Sequence, residues 1–316
     1  MDSALRTDRI VVAGLPRSGT TYVGNILAHH PDVRMVLEPL NEEFGLRAVS
    51  GQFPYVSGGD PASIESAKVL SQMVELRGGW RRFAMSRGQN RTWAQKTGKV
   101  LVGSRTSRDW RSDALFERVG RPRAPVQCFK DPFATFALEH LARRHGVRSI
   151  CIVRHPAAYY QSFVMQPWDF GIGRFINASA MRRDFGIDIE DETWRTAETD
   201  KLAYCAVLWR MMSQMVARTS TDSVMVVRFE DLAADIHATI DEVSSHFGLS
   251  MTQEMADYIE YTSSGSVIAP ERLKVHSFVR DSHAVAEHWR TSIDADDEAR
   301  LMALIGPDLH QFYGEW

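Results

Sequence analysis

The stretch Gly14-Leu15-Pro16-Arg17-Ser18-Gly19-Thr20-Thr21 restricts the fold of this chain more than any other. It follows a short apolar run, Ile10 to Leu15, and precedes Tyr22, Val23, Ile26 and Leu27 at helical spacing, which Pro31 ends. A strand that turns through glycines directly into a helix has the frame G-x-x-x-x-G-x-[ST] of a P-loop. In such a loop the backbone N–H groups converge on a phosphate, and the helix N-terminus adds partial positive charge. Thr20 and Thr21 add hydroxyl donors.

The rest of the chain fits an α/β sheet. Val33 to Leu37, Val126 to Phe129, Ile150 to Val153 and Val224 to Val227 are further strand-sized apolar runs. None alternates polar with apolar, so both faces are covered, as in a parallel sheet flanked by helices. Helical patterns fill Phe133 to His145, Thr199 to Arg218 and Asp235 to Phe247, the last with Ile236, Ile240, Val243 and Phe247 on one stripe. The expected fold is therefore a P-loop-type central parallel sheet of about five strands, flanked by helices. Two segments fit that frame poorly: Asn41 to Arg123, with Trp80, Trp93 and Trp110, and Met165 to Trp194, with Trp168. They are expected to form a largely helical cap over the strand ends, where ligands of open parallel sheets sit. No linker separates domains, so residues 1–316 read as one domain with cap insertions at about 41–123 and 165–194.

Composition narrows the function. A formal net charge of −3 argues against bulk nucleic-acid binding, so any anion site must be local. The longest apolar runs are far short of a membrane span and Met1 to Arg9 has no apolar signal region, which points to a cytoplasmic protein with no membrane partner. Cys128, Cys151 and Cys205 lack metal-ligand spacing and read as reduced core thiols. The loop adds its own restriction. An NTPase places Lys at position 20 for the β- and γ-phosphates and uses position 21 for Mg²⁺. Here position 20 is Thr and the nearest cation is Arg17, which suits a short 5′-phosphate carrying one transferable group better than a metal-bound triphosphate.

Further motifs stand at other strand ends. Ser149 to Val153 runs into Arg154-His155-Pro156, and Ser162 follows eight residues after Arg154. An Arg fork can chelate two phosphate oxygens while a hydroxyl supplies a third donor. Val126 to Phe129 runs into Lys130-Asp131-Pro132, and the second strand runs into Glu38-Pro39-Leu40. Late in the chain come Val279-Arg280-Asp281-Ser282-His283 and Glu287-His288-Trp289-Arg290.

Together, these motifs resemble the sulfotransferases that use 3′-phosphoadenosine 5′-phosphosulfate (PAPS), in particular bacterial and carbohydrate-directed branches with an E-P-L motif. LPRSGTTYVGNIL is similar to their 5′-phosphosulfate loop, with Arg17 where many relatives carry Lys. The resemblance implies that Pro16, Arg17, Ser18, Gly19, Thr20 and Thr21 hold the 5′-phosphosulfate. It implies that Arg154 and Ser162 hold the 3′-phosphate, with Arg280 and Ser282 folding over it. Lys130 would neutralise charge on the bridging oxygen and Glu38 would take the acceptor's proton. PAPS would be co-substrate, 3′-phosphoadenosine 5′-phosphate (PAP) the product, and no metal would be required. The catalytic His of aryl and steroid relatives lies two residues after the strand-end Lys, where this chain has Pro132, which shifts the burden to Glu38.

Each of these residues also has a plainer reading. Glu38 could accept loop N–H bonds or pair with Arg17, Lys130 could pair with Asp131 or Glu139, and Arg154 could cap a strand end. Asp131, His155 and His283 rival Glu38 as the base. His29 and His30 are expected to close the first helix, and Phe229-Glu230-Asp231-Leu232 to cap the helix from Asp235. Other functions compatible with the loop are a small-molecule or nucleotide kinase and a non-catalytic nucleotide-binding homologue. The acceptor is expected to be a small-molecule or carbohydrate hydroxyl or amine.

Overall fold

The computed structural model describes residues 6–81, 125–185, 191–219, 222–263 and 287–314. In chain order the elements are β1 (Arg6–Gly14), α1 (Thr20–Leu27), β2 (Val33–Leu37), α2 (Pro61–Glu75), β3 (Val126–Lys130), a 3₁₀ segment (Pro132–Ala137), α3 (Leu138–His145), β4 (Val147–Val153), α4 (Pro156–Val164), α5 (Ala178–Asp184), α6 (Asp191–Thr196) and α7 (Lys201–Arg218). They continue with β5 (Val224–Arg228), α8 (Phe229–Ala234), α9 (Ile236–His246), α10 (Gln253–Ser263), α11 (Trp289–Ser292) and α12 (Ala295–Ile305).

The strands form one parallel sheet in the order β2-β3-β1-β4-β5, with Val12 of β1 beside Lys130 of β3 and Ile150 of β4. Because the strands are apolar on both sides, the core divides into two layers. On one face Ile10, Val12, Cys128, Ile150 and Ile152 pack with Val23 and Ile26 of α1, Ile240 and Val243 of α9, and Ile259 of α10. On the other, Val11, Ala13, Phe129, Cys151 and Val153 pack with α2, α3, α4, α7 and α12. All three cysteines are buried free thiols.

This order decides where a ligand can sit. The connection leaving β1 travels toward β2, while the one leaving β4 travels the opposite way, to β5. Neighbouring strands whose connections diverge leave a crevice at their carboxyl ends, here between β1 and β4.

Two segments stand outside the simple alternation of strand and helix, one between β2 and β3 and one between α4 and α7. The described part of the first contains α2, whose N-cap Asp60 accepts from Ser63 N, and the second contains α5 and α6. They meet where Gln52 exchanges backbone hydrogen bonds with Arg174 and Ile176. Trp93 and Trp110 lie outside the described residues. No helix among the described residues is long and apolar enough to cross a membrane.

Two local expectations are corrected. Phe133 to His145 is not one helix: Asp131 caps a 3₁₀ segment by accepting from Phe133 N, and the α-helix begins only at Leu138. The FEDL stretch does not cap the helix after Asp235. It forms the short helix α8, and Asp235 caps α9 through Ala238 N. The physical reason is proximity: the Asp235 carboxylate lies at the helix mouth itself and reaches the third N–H without help.

Candidate active site

The loop after β1 is shaped by close approach to its neighbours. Gly14 has φ 137°, and a Cβ there would stand 2.3 Å from the Ile152 carbonyl oxygen, so β1 and β4 can pair this closely only without a side chain. Gly14 N donates to Thr135 Oγ1 at 3.1 Å, and that hydroxyl donates to the Pro132 carbonyl at 2.7 Å. Thr135 thereby ties the start of the loop to the turn after β3. Gly19 opens α1 at φ 94°, with the Phe229 ring where a Cβ would be. Ser18 and Thr20 are buried, and Pro16, Gly19 and Thr21 are half-buried.

Arg17 holds a left-handed φ of 75°, unusual for a residue with a Cβ. From there its side chain reaches across to the other anion motif: Nε donates to Ser162 Oγ on α4 at 3.1 Å, and the guanidinium lies 6.0 Å from the Trp168 ring centroid. Arg154 leaves the end of β4 and answers from the opposite side. Its Nη1 donates to the Arg17 carbonyl at 3.0 Å, its guanidinium lies 4.6 Å over the Phe229 ring, and its own carbonyl accepts from Trp209 Nε1 at 2.9 Å. The β1 and β4 loops are thus in direct contact, and Arg17, Ser162 and Arg154 share the crevice set by the strand order.

A second pair lies on the β2 and β3 side of the loop. Lys130 Nζ and Glu38 Oε1 form an ion pair at 2.5 Å, with the Lys130 side chain 3% and the Glu38 side chain 18% exposed. Glu38 sits at φ 43° at the end of β2, where its N–H donates to the Lys130 carbonyl and its Oε2 accepts from Asn41 Nδ2 at 2.9 Å. The Lys130 stem packs under α1, against Gly24, where a Cβ would fall 3.0 Å from its Cγ. Lys130 therefore pairs with Glu38, not with Asp131 or Glu139, and Glu38 pairs with Lys130 rather than Arg17.

The described rivals of Glu38 are built into the scaffold. Asp131 is fully buried and its carboxylate accepts from Leu40 N at 2.6 Å and Phe133 N at 3.0 Å, locking the turn after β2 to the turn after β3. Burial, followed by the neighbouring Glu38 charge, pushes its carboxyl up to about 8, against the pull of those two amides. His155 is buried and stacked on Trp289, with ring centroids 4.1 Å apart at 11°. Burial, then the Arg290 charge, pushes its imidazole down to about 3. His283, Arg280 and Ser282 lie outside the described residues. After α1, His29 Nδ1 donates to the Asn25 carbonyl as a closing residue does, while His30 Nδ1 instead accepts from Asp32 N.

Several supporting residues were not singled out from the pattern of the chain. Thr135 is a lone hydroxyl inside an apolar run, which was its only signal. Asn41, Trp209 and Tyr313 carried none. Glu230 belongs to the FEDL stretch, and its contacts form only in the folded chain.

The model of the sulfotransferase family matches residues 9–253. The fold is similar to several solved structures. A sulfotransferase domain from the curacin biosynthetic pathway has 16% identity and a TM-score of 0.43, over 95% of this chain and 98% of that one. A sulfotransferase from Alicyclobacillus acidocaldarius has 14% identity and a TM-score of 0.45, over 98% and 94%. A mouse sulfotransferase complexed with PAP has 11% identity and a TM-score of 0.42, over 97% and 86%. No curated protein matches the chain. The family match, spanning the loop, the strand-end motifs at Glu38, Lys130 and Arg154, and the sheet from Arg9 of β1 to β5, is decisive: the chain belongs to the sulfotransferase family.

Proposed function

We propose that this protein transfers the sulfuryl group of PAPS to a hydroxyl or amine of a small-molecule or carbohydrate acceptor and releases PAP. The observation that carries this reading is the contact between the two anion motifs, Arg154 Nη1 on the Arg17 carbonyl and Arg17 Nε on Ser162 Oγ. One ligand with phosphates at two positions can engage both. Residues Pro16 to Thr21 hold its 5′-phosphosulfate through loop N–H groups and the start of α1. Arg154 and Ser162 hold its 3′-phosphate, and Arg280 and Ser282 complete that site.

The reaction is an in-line displacement in which positioning and charge stabilisation supply most of the rate, as in phosphoryl transfer. The acceptor oxygen or nitrogen forms a bond to sulfur, and the bond from sulfur to the bridging 5′-phosphate oxygen breaks, leaving the electron pair on PAP. Lys130 Nζ donates toward that bridging oxygen as charge builds on it. The acceptor's proton passes to the Glu38 carboxylate, whose orientation Lys130 and Asn41 hold. Thr20 and Arg17, in place of a P-loop Lys, suit this donor better than a metal-bound triphosphate.

Transfer of isotope from labelled PAPS to a panel of sugar and aryl alcohols and amines tests the reading. Labelled acceptor together with stoichiometric PAP is the expected result. If the protein neither binds PAP nor transfers label, but turns over ATP with Mg²⁺, it is a kinase and the reading is wrong.

A further inference from the structure

Arg154 is held by a bracket that the reaction itself does not require. Helix α8 supplies two neighbouring side chains to it. The Phe229 ring lies under the guanidinium, and Glu230 Oε1 accepts from the N–H of the next residue, His155, at 3.0 Å. The second carboxylate oxygen of Glu230 accepts from Tyr313 OH at 2.8 Å, near the end of the described chain. Tyr313 also meets the His155 ring edge-on at 5.1 Å, and Trp289 covers its face. Burial and the Glu230 charge raise the Tyr313 phenol, so it stays a donor at any physiological pH. Residues 75 and 158 positions away from His155 are thus joined to a single peptide N–H at the mouth of β4.

We infer that Glu230 is a positioning residue for Arg154, fastened through Tyr313 to the C-terminal segment, and that this bracket sets affinity for the 3′-phosphate of the donor. A buried peptide held by a carboxylate has one orientation, and the Arg154 backbone immediately before it inherits that orientation. Without the bracket, the guanidinium keeps its charge and loses its aim. The inference rests on the PAPS reading, because only a ligand with a 3′-phosphate would feel the difference.

The test compares two nucleotides, PAP and adenosine 5′-phosphate, which lacks the 3′-phosphate, by calorimetric titration of the full chain. Glu230→Ala should weaken PAP binding by about 10- to 100-fold, the range for losing a hydrogen bond to a charged group, and leave adenosine 5′-phosphate within about 2-fold. Glu230→Gln keeps an acceptor for the His155 N–H and should restore PAP binding to within about 3-fold. Tyr313→Phe removes one bond to the bracket and should cost about 3- to 10-fold on PAP alone, which keeps the test decisive if Glu230→Ala does not fold. Equal losses for both nucleotides, or none, would make Glu230 an ordinary stabilising residue and overturn the inference. If the wild-type protein does not prefer PAP, the donor reading fails and takes the inference with it. If wild type prefers PAP and Glu230→Ala and Tyr313→Phe keep that preference undiminished, the inference alone fails.

Discussion

The two halves of the candidate site are built on different principles. On the β1/β4 side, Arg17 and Arg154 reach, among other contacts, a hydroxyl, a carbonyl and two aromatic faces, which orient the two guanidinium groups. On the β2/β3 side, Lys130 and Glu38 face each other as a buried ion pair. The first arrangement brings two guanidinium groups together from neighbouring strand ends. The second stores a cation and a carboxylate side by side, which the proposed mechanism uses for charge on the leaving group and the acceptor's proton. Under the proposed mechanism binding and chemistry separate along the sheet, and substitutions on the two sides should produce different kinetic signatures.

The largest expected effect is on the chemical side. Glu38→Gln should still fold and bind PAP while losing about 10²- to 10⁴-fold in kcat, the usual range for removing a general base. A near-normal kcat would remove Glu38 from the mechanism. Lys130→Met should lower kcat as well, and because it strands the Glu38 carboxylate it should cost about 3–5 kcal/mol in a denaturant titration. Adding Glu38→Gln to Lys130→Met should recover part of that stability and none of the activity. An additive stability loss in the double variant would mean that the pair is not coupled.

On the binding side, Arg154→Ala should raise the donor KM by about 10- to 100-fold with kcat at saturation little changed. An unaltered donor KM would place the 3′-phosphate elsewhere. Thr135→Val, which leaves Gly14 N without its acceptor, should cost about 1–3 kcal/mol of stability and weaken donor binding with it. Melting with wild-type stability would show that the loop stands without that tie.

The smallest effect concerns pH. The unfolded chain charges His155 near 6.5, but the folded chain holds it neutral down to about 3, so this residue makes stability fall as pH drops through that window. His155→Phe, which keeps a ring on Trp289, should flatten part of the acid limb of a Tm-against-pH profile. His140, pushed down to about 4 by burial, retains another part. Asp131 acts in the opposite sense. Its folded carboxyl titrates near 8 rather than 3.8, so its contribution declines as pH rises between those values. An acid limb identical in wild type and His155→Phe would sink this account of His155.

Much of this was legible in the order of residues. The strand, loop and helix around Gly14 to Thr21 appear in place, β2 matches its expected bounds, and β3 and β5 extend one residue past them because a strand-end Lys or Arg still makes ladder bonds. Glu38, Lys130 and Arg154 all emerge at strand ends on the carboxyl side, as the runs ahead of them implied. The pairing of Glu38 with Lys130 was not legible, since 92 positions separate them and each had nearer partners in sequence.

What the chain determined alone is local: apolar runs without alternation make buried parallel strands, glycines at 14 and 19 permit φ values that a side chain would strain, and a hydroxyl-rich turn at a helix start favours an anion. Tertiary structure alone decided which strand ends became neighbours. The order β2-β3-β1-β4-β5 brings Arg154 to the Arg17 carbonyl and Lys130 to Glu38, and folds Glu230 and Tyr313 around His155. Periodicity and propensity act over a few residues, whereas these contacts depend on sheet register and crossover direction, which arise only when the whole core packs.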